Sequence, residues 1–177
     1  MSELTDFRKE KDAYFARDSQ SPLTSKQRKS FKGLAYFPEN PSLRLDLPVE
    51  MLEEEEPVQM VTSTGSVQEY RRWGRVTFPV DGKEAALTIY QDTEMGHLFL
   101  PFADGTSGQE TYEAGRYMEP QLLEDERVLL DFNYAYSPYC AYNAYWSCPI
   151  PPAENRLKVR LEAGEKNFPG KDDSLPT

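Results

Sequence analysis

The dipeptide Asp81-Gly82 constrains the fold of this 177-residue chain more than any other feature. Asp-Gly is typical of a type I′ turn, which joins two antiparallel strands through only two residues. Such a turn also fixes the register of the strands, and the pairs that it predicts on one face are Phe78 with Ala85, Val76 with Leu87 and Gly74 with Ile89. Because this face is apolar, the turn chemistry and the hydrophobic pattern predict the same hairpin.

Further strands are predicted wherever turn residues bound alternating or apolar runs. The predicted strands span residues 43–47, 58–62, 67–79, 84–91, 97–102, 116–118, 127–132 and 157–162. Consecutive strands joined by short turns form an antiparallel meander, and a meander with one apolar face must close over a core. We therefore expect a mainly β fold, barrel-like or made of two packed sheets, and favour the barrel-like form.

Two short helices are predicted before the strands. Apolar residues recur at helical spacing over residues 3–17, with Ser2 at the N-cap position. Thr24 and Gln27 have the spacing of a capping box, which predicts a second helix over residues 25–31, ended by Gly33. We expect both helices to pack outside the β domain.

The length of the chain suits one domain with a real core. We expect this domain to span residues 1–168, with a helical N-terminal segment over 1–31 and a β domain over 43–162. The Pro-, Gly- and Asp-containing segment 169–177 is predicted to be a flexible tail.

The charge and the hydropathy of the chain exclude several classes of partner. The formal net charge is −10 at pH 7, and such a surface repels phosphate backbones, so no nucleic-acid partner is expected. The chain has no long apolar stretch for a membrane span, and its charged N-terminus is unlike a signal peptide. We therefore expect a cytoplasmic protein with reduced cysteines and no cofactor.

The first group of candidate ligand-binding residues follows the apolar run 98–102. It comprises Asp104, Glu110, Tyr112 and Arg116, set among glycine turns that allow a ligand to approach the main chain. An acid pair beside an arginine can hold a polar ligand or tune a general base. The alternative is structural: Asp104 caps its turn and Glu110 pairs with Arg116.

The second group lies in a tyrosine-rich segment. Asp131, Asn133 and Cys140 belong to it, and Asn155 follows a rigid Pro-rich run. Five tyrosines occur between residues 134 and 145, and each buried hydroxyl needs a hydrogen-bond partner. These residues line a small-ligand pocket or form a hydrogen-bonded cover for one end of the β domain.

The two cysteines admit several interpretations. Cys140 and Cys148 are two thiols, fewer than the four ligands of a structural zinc site, and His97 with Asp104 or Asp131 would be needed to complete one. Cys140 activated by His97 would make a thiol hydrolase. A disulfide requires an oxidant, and buried inert thiols are the default.

The longer motifs of the chain resemble those of a known family. The matching segments are Phe7-Arg8, Lys11-Asp12, Ser21-Pro22-Leu23 and residues 31–38, 98–117, 131–157 and 163–166. Together they resemble the prokaryotic family catalogued as domain of unknown function 1684. Ser137 departs from the asparagine of the family's Ala-Tyr-Asn-Pro pattern. The resemblance implies a single-domain soluble protein and supplies no activity.

Three functions follow as hypotheses. The first is binding of a small polar ligand in a pocket at one end of the β domain, with hydrolysis by an Asp or Glu base as the chemistry if the protein is an enzyme. The second is a non-catalytic interaction module that uses a Tyr- and Pro-rich surface. The third is a metal-dependent enzyme with His97, Cys140 and Cys148 as ligands. The sequence does not predict an oligomeric state.

Overall fold

The hairpin at Asp81-Gly82 organises the structure. The computed structural model describes residues 2–53, 56–144 and 146–171. Asp81 and Gly82 have φ angles of 49° and 79°, as a type I′ turn requires. All three predicted pairs, from Phe78 with Ala85 to Gly74 with Ile89, are present. The register shifts only beyond Gly74, at a bulge next to Arg72.

The strands of the described residues form two antiparallel sheets. Their bounds are β1 (Arg44–Pro48), β2 (Glu50–Met51), β3 (Val58–Val61), β4 (Val67–Val80), β5 (Lys83–Asp92), β6 (Leu98–Phe102), β7 (Arg116–Met118), β8 (Gln121–Leu122) and β9 (Arg127–Asp131). The larger sheet has the order β2-β4-β5-β6-β7, with β3 also paired to β4, and the smaller sheet has the order β1-β9-β8. The mainly β prediction is confirmed, in its two-sheet form.

The main core joins the inner faces of both sheets. From the larger sheet it takes the predicted apolar face of the hairpin together with β6, and from the smaller sheet it takes alternate residues of β1 and β9. Its fully buried members include Val76, Phe78, Leu87, Ile89, Leu100, Phe102, Val128 and Leu130. The alternation of β9, with Val128 and Leu130 inward, is the pattern of a strand with one buried face.

The two predicted helices lie outside this core. Helix α1 spans Glu3–Arg17 and begins at Ser2, whose hydroxyl accepts the amide hydrogen of Thr5 at 3.2 Å. Helix α2 spans Ser25–Ser30 and has both hydrogen bonds of the predicted capping box. Phe15 of α1 and the residues that flank α2, Leu23 and Phe31, share a separate apolar cluster with Tyr142. No helix among residues 2–53, 56–144 and 146–171 is long and apolar enough to cross a membrane.

The prediction of a strand at residues 157–162 is wrong. The segment is extended but forms no strand ladder. It runs beside the end of β6, where the amide of Leu157 donates to Ala103 O at 2.8 Å and that of Gly105 donates to Val159 O at 2.7 Å. The main-chain groups of Leu161 are bound by side chains, as described below.

The predicted tail starts with residues that contact the domain. The side-chain amide of Gln27 donates to Gly170 O at 2.9 Å, and the ammonium group of Lys171 lies 5.4 Å from the ring centre of Tyr112. Residues 172–177 of the predicted tail, and Tyr145 of the tyrosine-rich segment, lie outside the described residues.

Candidate functional site

The eight candidate residues do not converge on one cavity. The structure divides them among five places, each with its own hydrogen-bond partners. These places are the pair Asp104 and Arg116, the pair Glu110 and Arg160, the pair Tyr112 and Cys140, the pair Asp131 and Asn133, and Asn155 alone.

Asp104 and Arg116 form an ion pair inside the domain. Arg116 Nη2 lies 3.6 Å from Asp104 Oδ1, and neither side chain is exposed. The guanidinium donates to the carbonyl oxygens of Leu161 at 2.9 Å, of Glu165 at 3.3 Å and of Ala163. Burial lowers the pKa of Arg116, against the opposing effect of Asp104. An arginine held in this way binds the main chain and is closed to a ligand.

The same pair explains why residues 157–162 form no strand. Asp104 Oδ2 accepts the amide hydrogen of Leu161 at 2.6 Å, and Arg116 takes the carbonyl of the same residue. At Leu161 the main-chain groups that a neighbouring strand would use are therefore satisfied by two charged side chains.

Asn155 replaces strand pairing between β5 and β6. These strands pair only at Tyr90 with Phe99 and at Gln91 with Leu98. Where they diverge, the buried Asn155 amide donates to Thr88 O and Pro101 O at 2.8 Å each and accepts from Thr88 N at 2.8 Å. All three hydrogen bonds lie inside the domain, so Asn155 has a structural role.

Glu110 pairs with Arg160 instead of the Arg116 partner considered above. Both side chains are about one-third exposed, at 31% and 37%. Arg160 also donates to Gly105 O at 3.2 Å and contacts Glu162 at 3.1 Å. This is a surface ion pair, a kind that contributes little to stability.

Tyr112 and Cys140 meet beside the second thiol. Cys140 Sγ lies 3.6 Å from the Tyr112 hydroxyl, and the Cys140 amide donates to Cys148 Sγ at 3.3 Å. His97 is exposed between β5 and β6, where its carbonyl accepts the amide hydrogen of Asp92. The described parts of the chain contain no group of three or more His, Cys, Asp or Glu residues that could hold a metal ion.

Asp131 and Asn133 shape the end of β9. Asp131 Oδ1 accepts from the main-chain amide of Asn133 at 3.0 Å and from its side chain at 2.9 Å, which caps a 3-10 turn over Phe132–Tyr134. Asn133 in turn exchanges hydrogen bonds with the main chain of Asn40, at 2.7 and 3.0 Å. The second oxygen of Asp131 lies 3.7 Å from Arg44 Nε.

Asp131 also faces a cavity of about 390 Å³ between α1 and the smaller sheet. We call it the Asp131 cavity, and its lining residues are Glu3, Phe7, Arg44, Met118, Glu119, Gln121, Leu129, Asp131, Tyr134 and Tyr136. A second hollow of about 260 Å³ adjoins it and shares Glu3, Arg44, Asp131 and Tyr134. Of the eight candidates, Asp131 is the one that lines the larger cavity, and Asn133 lines the smaller.

The lining of the Asp131 cavity is acidic and aromatic. Three carboxylates face one guanidinium, an excess of two negative charges. The Tyr136 hydroxyl donates to Glu119 Oε1 at 2.8 Å, and the rings of Phe7 and Tyr134 meet edge to face, with centres 4.9 Å apart. Burial raises the pKa of both Tyr134 and Tyr136, so both are neutral phenols at pH 7.

Most of the residues that line the Asp131 cavity were not predicted from the sequence. The tyrosine-rich segment indicated Tyr134 and Tyr136 as possible lining residues, because each buried hydroxyl needs a hydrogen-bond partner. Glu3, Arg44 and Glu119 come from α1, β1 and the β7–β8 link, and no local pattern connects them. Only the packing of α1 against the smaller sheet brings them together.

Glu165 is a buried acid that the sequence analysis also missed. It is 1% exposed, with Lys11 Nζ at 2.7 Å, and the Tyr142 hydroxyl donates to its other oxygen. Burial raises the pKa of Glu165, and Lys11 opposes that rise. Glu165 does not line the Asp131 cavity, so it links α1 to the C-terminal segment.

Comparisons with known proteins agree with this fold. The solution NMR structure of an uncharacterized protein of Haloarcula marismortui is similar to this chain, with a TM-score of 0.70 and 38% sequence identity. The match covers 92% of this chain and 91% of that one. Among the curated proteins, none matches significantly. A family model described as Protein of unknown function (DUF1684) matches residues 29–166. The chain therefore belongs to the DUF1684 family.

Proposed function

We propose that this protein binds a small organic cation in the Asp131 cavity. The observation that carries the proposal is the Asp131 carboxylate, 17% exposed, in the wall of a cavity lined by aromatic rings and by excess negative charge. A volume of about 390 Å³ lies within the usual range for small-molecule sites.

The lining favours a positive charge on the ligand. Carboxylates in a half-enclosed site attract a cation more strongly than they would in open water, and the faces of phenol rings attract it too. Arg44 offsets part of this attraction, since its Nε lies 3.7 Å from Asp131, but its side chain is 62% exposed and water screens its charge. Met118 and Leu129 add an apolar floor, which suits a ligand with a hydrocarbon or aromatic body.

The geometry favours binding over hydrolysis. Asp131 Oδ1 already accepts two hydrogen bonds from Asn133, and the Tyr136 hydroxyl already donates a hydrogen bond to Glu119. The described residues that line the Asp131 cavity include no Ser, Thr, Cys, Lys or His to act as a nucleophile. We therefore propose a binding protein.

Two ligands of matched shape and opposite charge test the proposal. Benzylamine and benzoate carry the same ring, and a ligand that binds the folded state raises the melting temperature with its concentration. We expect benzylamine to raise the melting temperature of the protein and benzoate to leave it unchanged. Equal shifts with the two compounds would contradict the cation preference.

Asp131→Asn locates the binding. Asparagine retains an oxygen that can cap the 3-10 turn, but it removes the negative charge, so the shift with benzylamine should disappear. Asp92→Asn is the matched control, since Asp92 also accepts the amide hydrogen of the residue two positions on, Glu94, at 2.7 Å and does not line the Asp131 cavity. If Asp131→Asn and Asp92→Asn respond alike to benzylamine, the ligand binds elsewhere.

The interaction-module alternative has less support. It needs an exposed apolar patch over residues 139–150, but much of that segment is buried. Its buried residues include Cys140, Ala141, Tyr142, Asn143 and Cys148, and Trp146 is 37% exposed.

A further inference from the structure

The two cysteines are placed as a reactive pair. Cys140 belongs to a 3-10 turn over Tyr139–Ala141, and both cysteines are free thiols in one cluster. The 3.3 Å hydrogen bond from the Cys140 amide puts Cys148 Sγ within about 4.8 Å of Cys140 Cα, once the N–Cα bond is added. Two thiols separated by seven residues in sequence are thus neighbours in space.

The surroundings of Cys140 favour its thiolate. The hydroxyl of Tyr112 lies 3.6 Å from its sulfur, the thiol of Cys148 and the hydroxyl of Ser63 are polar neighbours, and the positive charge of Lys171 is nearby. These contacts lower the pKa of Cys140 to about 6, chiefly through Cys148. The same contact raises the pKa of Cys148. At neutral pH the pair therefore holds one thiolate beside one thiol.

Access to the pair is narrow. Each cysteine is buried, with 8% of the residue exposed. The neighbouring Ser63 is exposed, and its hydroxyl accepts the amide hydrogen of Cys148 at 3.1 Å. The tyrosines that pack around the thiols, including Tyr117 and Tyr139, leave no room for a protein partner at the sulfur atoms. A reagent for this site has to be small.

We propose that Cys140 and Cys148 form a reversible dithiol–disulfide pair that reacts with small peroxides. The Cys140 thiolate attacks one oxygen of hydrogen peroxide, so that an S–O bond forms, the O–O bond breaks and hydroxide leaves. The Cys148 sulfur then attacks Cys140 Sγ, the S–S bond forms, and the sulfenic oxygen leaves as water. The Cys148 proton goes to that water as the S–O bond breaks, and the hydroxide of the first step takes a proton from the solvent. Two electrons pass from the sulfurs to the peroxide, and an external thiol reverses the step.

The direct test is oxidation of the folded protein. Hydrogen peroxide is added, remaining thiols are blocked with a maleimide, and intact mass and peptide mapping identify the product. We expect an internal Cys140–Cys148 disulfide, seen as the loss of two hydrogen atoms and reversed by dithiothreitol. The proposal is wrong if the folded protein forms no internal disulfide, or only links between molecules, while the urea-unfolded protein oxidises readily.

Single variants separate the two roles, which are attack on peroxide by Cys140 and attack on the resulting sulfenic acid by Cys148. Cys148→Ser should stop at a sulfenic acid on Cys140, which dimedone traps. Cys140→Ser removes the thiol whose pKa is lowered, and reaction of the remaining Cys148 with peroxide should be roughly tenfold slower or more, since the thiolate is the nucleophile. Peroxide reaction of Cys140→Ser at the wild-type rate would overturn the assignment.

Tyr112→Phe keeps both thiols and tests the hydrogen bond without removing a cysteine. The rate of alkylation of Cys140 by iodoacetamide should rise with pH around a midpoint near 6 in the wild-type protein. Loss of the phenol should move this midpoint upward, while the disulfide still forms under peroxide. An unchanged midpoint in folded Tyr112→Phe, with circular dichroism as the check on folding, would contradict the environment proposed for Cys140.

Discussion

Arg116 and Asn155 use side-chain groups where a sheet would use main-chain groups. Arg116 binds three carbonyls of residues 161–165, and Asn155 bridges β5 and β6. Polar residues of this kind resemble ligand-binding residues in sequence, since both roles require donors and acceptors in a glycine-rich setting. Burial distinguishes them, because a fully enclosed group has no face left for a ligand, even where one donor, the Nε of Arg116, lacks a hydrogen-bond partner.

Arg116→Met should cost stability. The change leaves the buried carboxylate of Asp104 without its cation and removes a donor from each of three carbonyls, so we expect a loss of about 3–5 kcal/mol in the free energy of unfolding. Urea denaturation measures it.

Arg127→Met is the control for Arg116→Met. Arg127 also pairs with an aspartate, Asp46 at 2.8 Å, but both side chains are at least 40% exposed. We expect a loss of about 1 kcal/mol or less for this surface pair. Similar losses in the two variants would show that Arg116 is not the internal link described here.

At the scale of elements, the hairpin depends on one backbone conformation. Gly82 has a φ of +79°, and an added Cβ would meet no atom within 4 Å, so a substitution there changes only the backbone energy. Gly82→Ala should lower the free energy of unfolding by about 1–2 kcal/mol. Gly82→Asn should lower the free energy of unfolding by less, because asparagine adopts this left-handed conformation more readily than alanine does.

Urea unfolding of these two variants compares them in the same turn. A loss for Gly82→Asn as large as that for Gly82→Ala would mean that the left-handed conformation does not control the stability of β4 and β5.

Elements governed by neighbouring residues were predictable, and those governed by distant ones were not. The N-cap of α1, the capping box of α2 and the β4–β5 register each follow from residues close in sequence. The extended segment 157–162 has the composition of a strand, but its partners include Arg116, 45 residues away from Leu161. The sequence around residues 157–162 contains no information on the contact with Arg116.

The candidate site was predictable to the same limited extent. Asp131 and the tyrosine-rich segment were identified because they lie together in sequence. Their partners Glu3 and Arg44 come from an N-terminal helix and from an edge of the smaller sheet. A surface helix signals its apolar face in sequence but not which polar residues it will bring to a cavity.

At the scale of the whole molecule, α1 completes the domain from outside. Phe7 packs on Tyr134 beside the Asp131 cavity, and Lys11 reaches the buried Glu165. Glu165 also lies close to Arg116, so one charged network joins α1 to the C-terminal segment. The wall of the proposed ligand site and the stability of the domain therefore depend on the same docked helix.

This network predicts a pH dependence of stability that Glu165→Gln should remove. The folded state raises the pKa of Glu165 above its ordinary value of 4.5, chiefly through burial. Above pH 4.5 the folded protein therefore holds this proton more tightly than the unfolded chain does. The Glu165 contribution to the free energy of unfolding should then fall as the pH rises from 4.5 through the folded pKa.

Glutamine keeps an oxygen for the Tyr142 hydroxyl but does not titrate, so the stability of Glu165→Gln relative to the wild type should increase with pH across that window. Urea unfolding at a series of pH values measures the difference. Glu162→Gln is the control, because Glu162 is 55% exposed beside Arg160 and should give a profile parallel to the wild type. If Glu165→Gln also runs parallel to the wild type above pH 4.5, the buried carboxyl is not the titrating group that couples α1 to the domain.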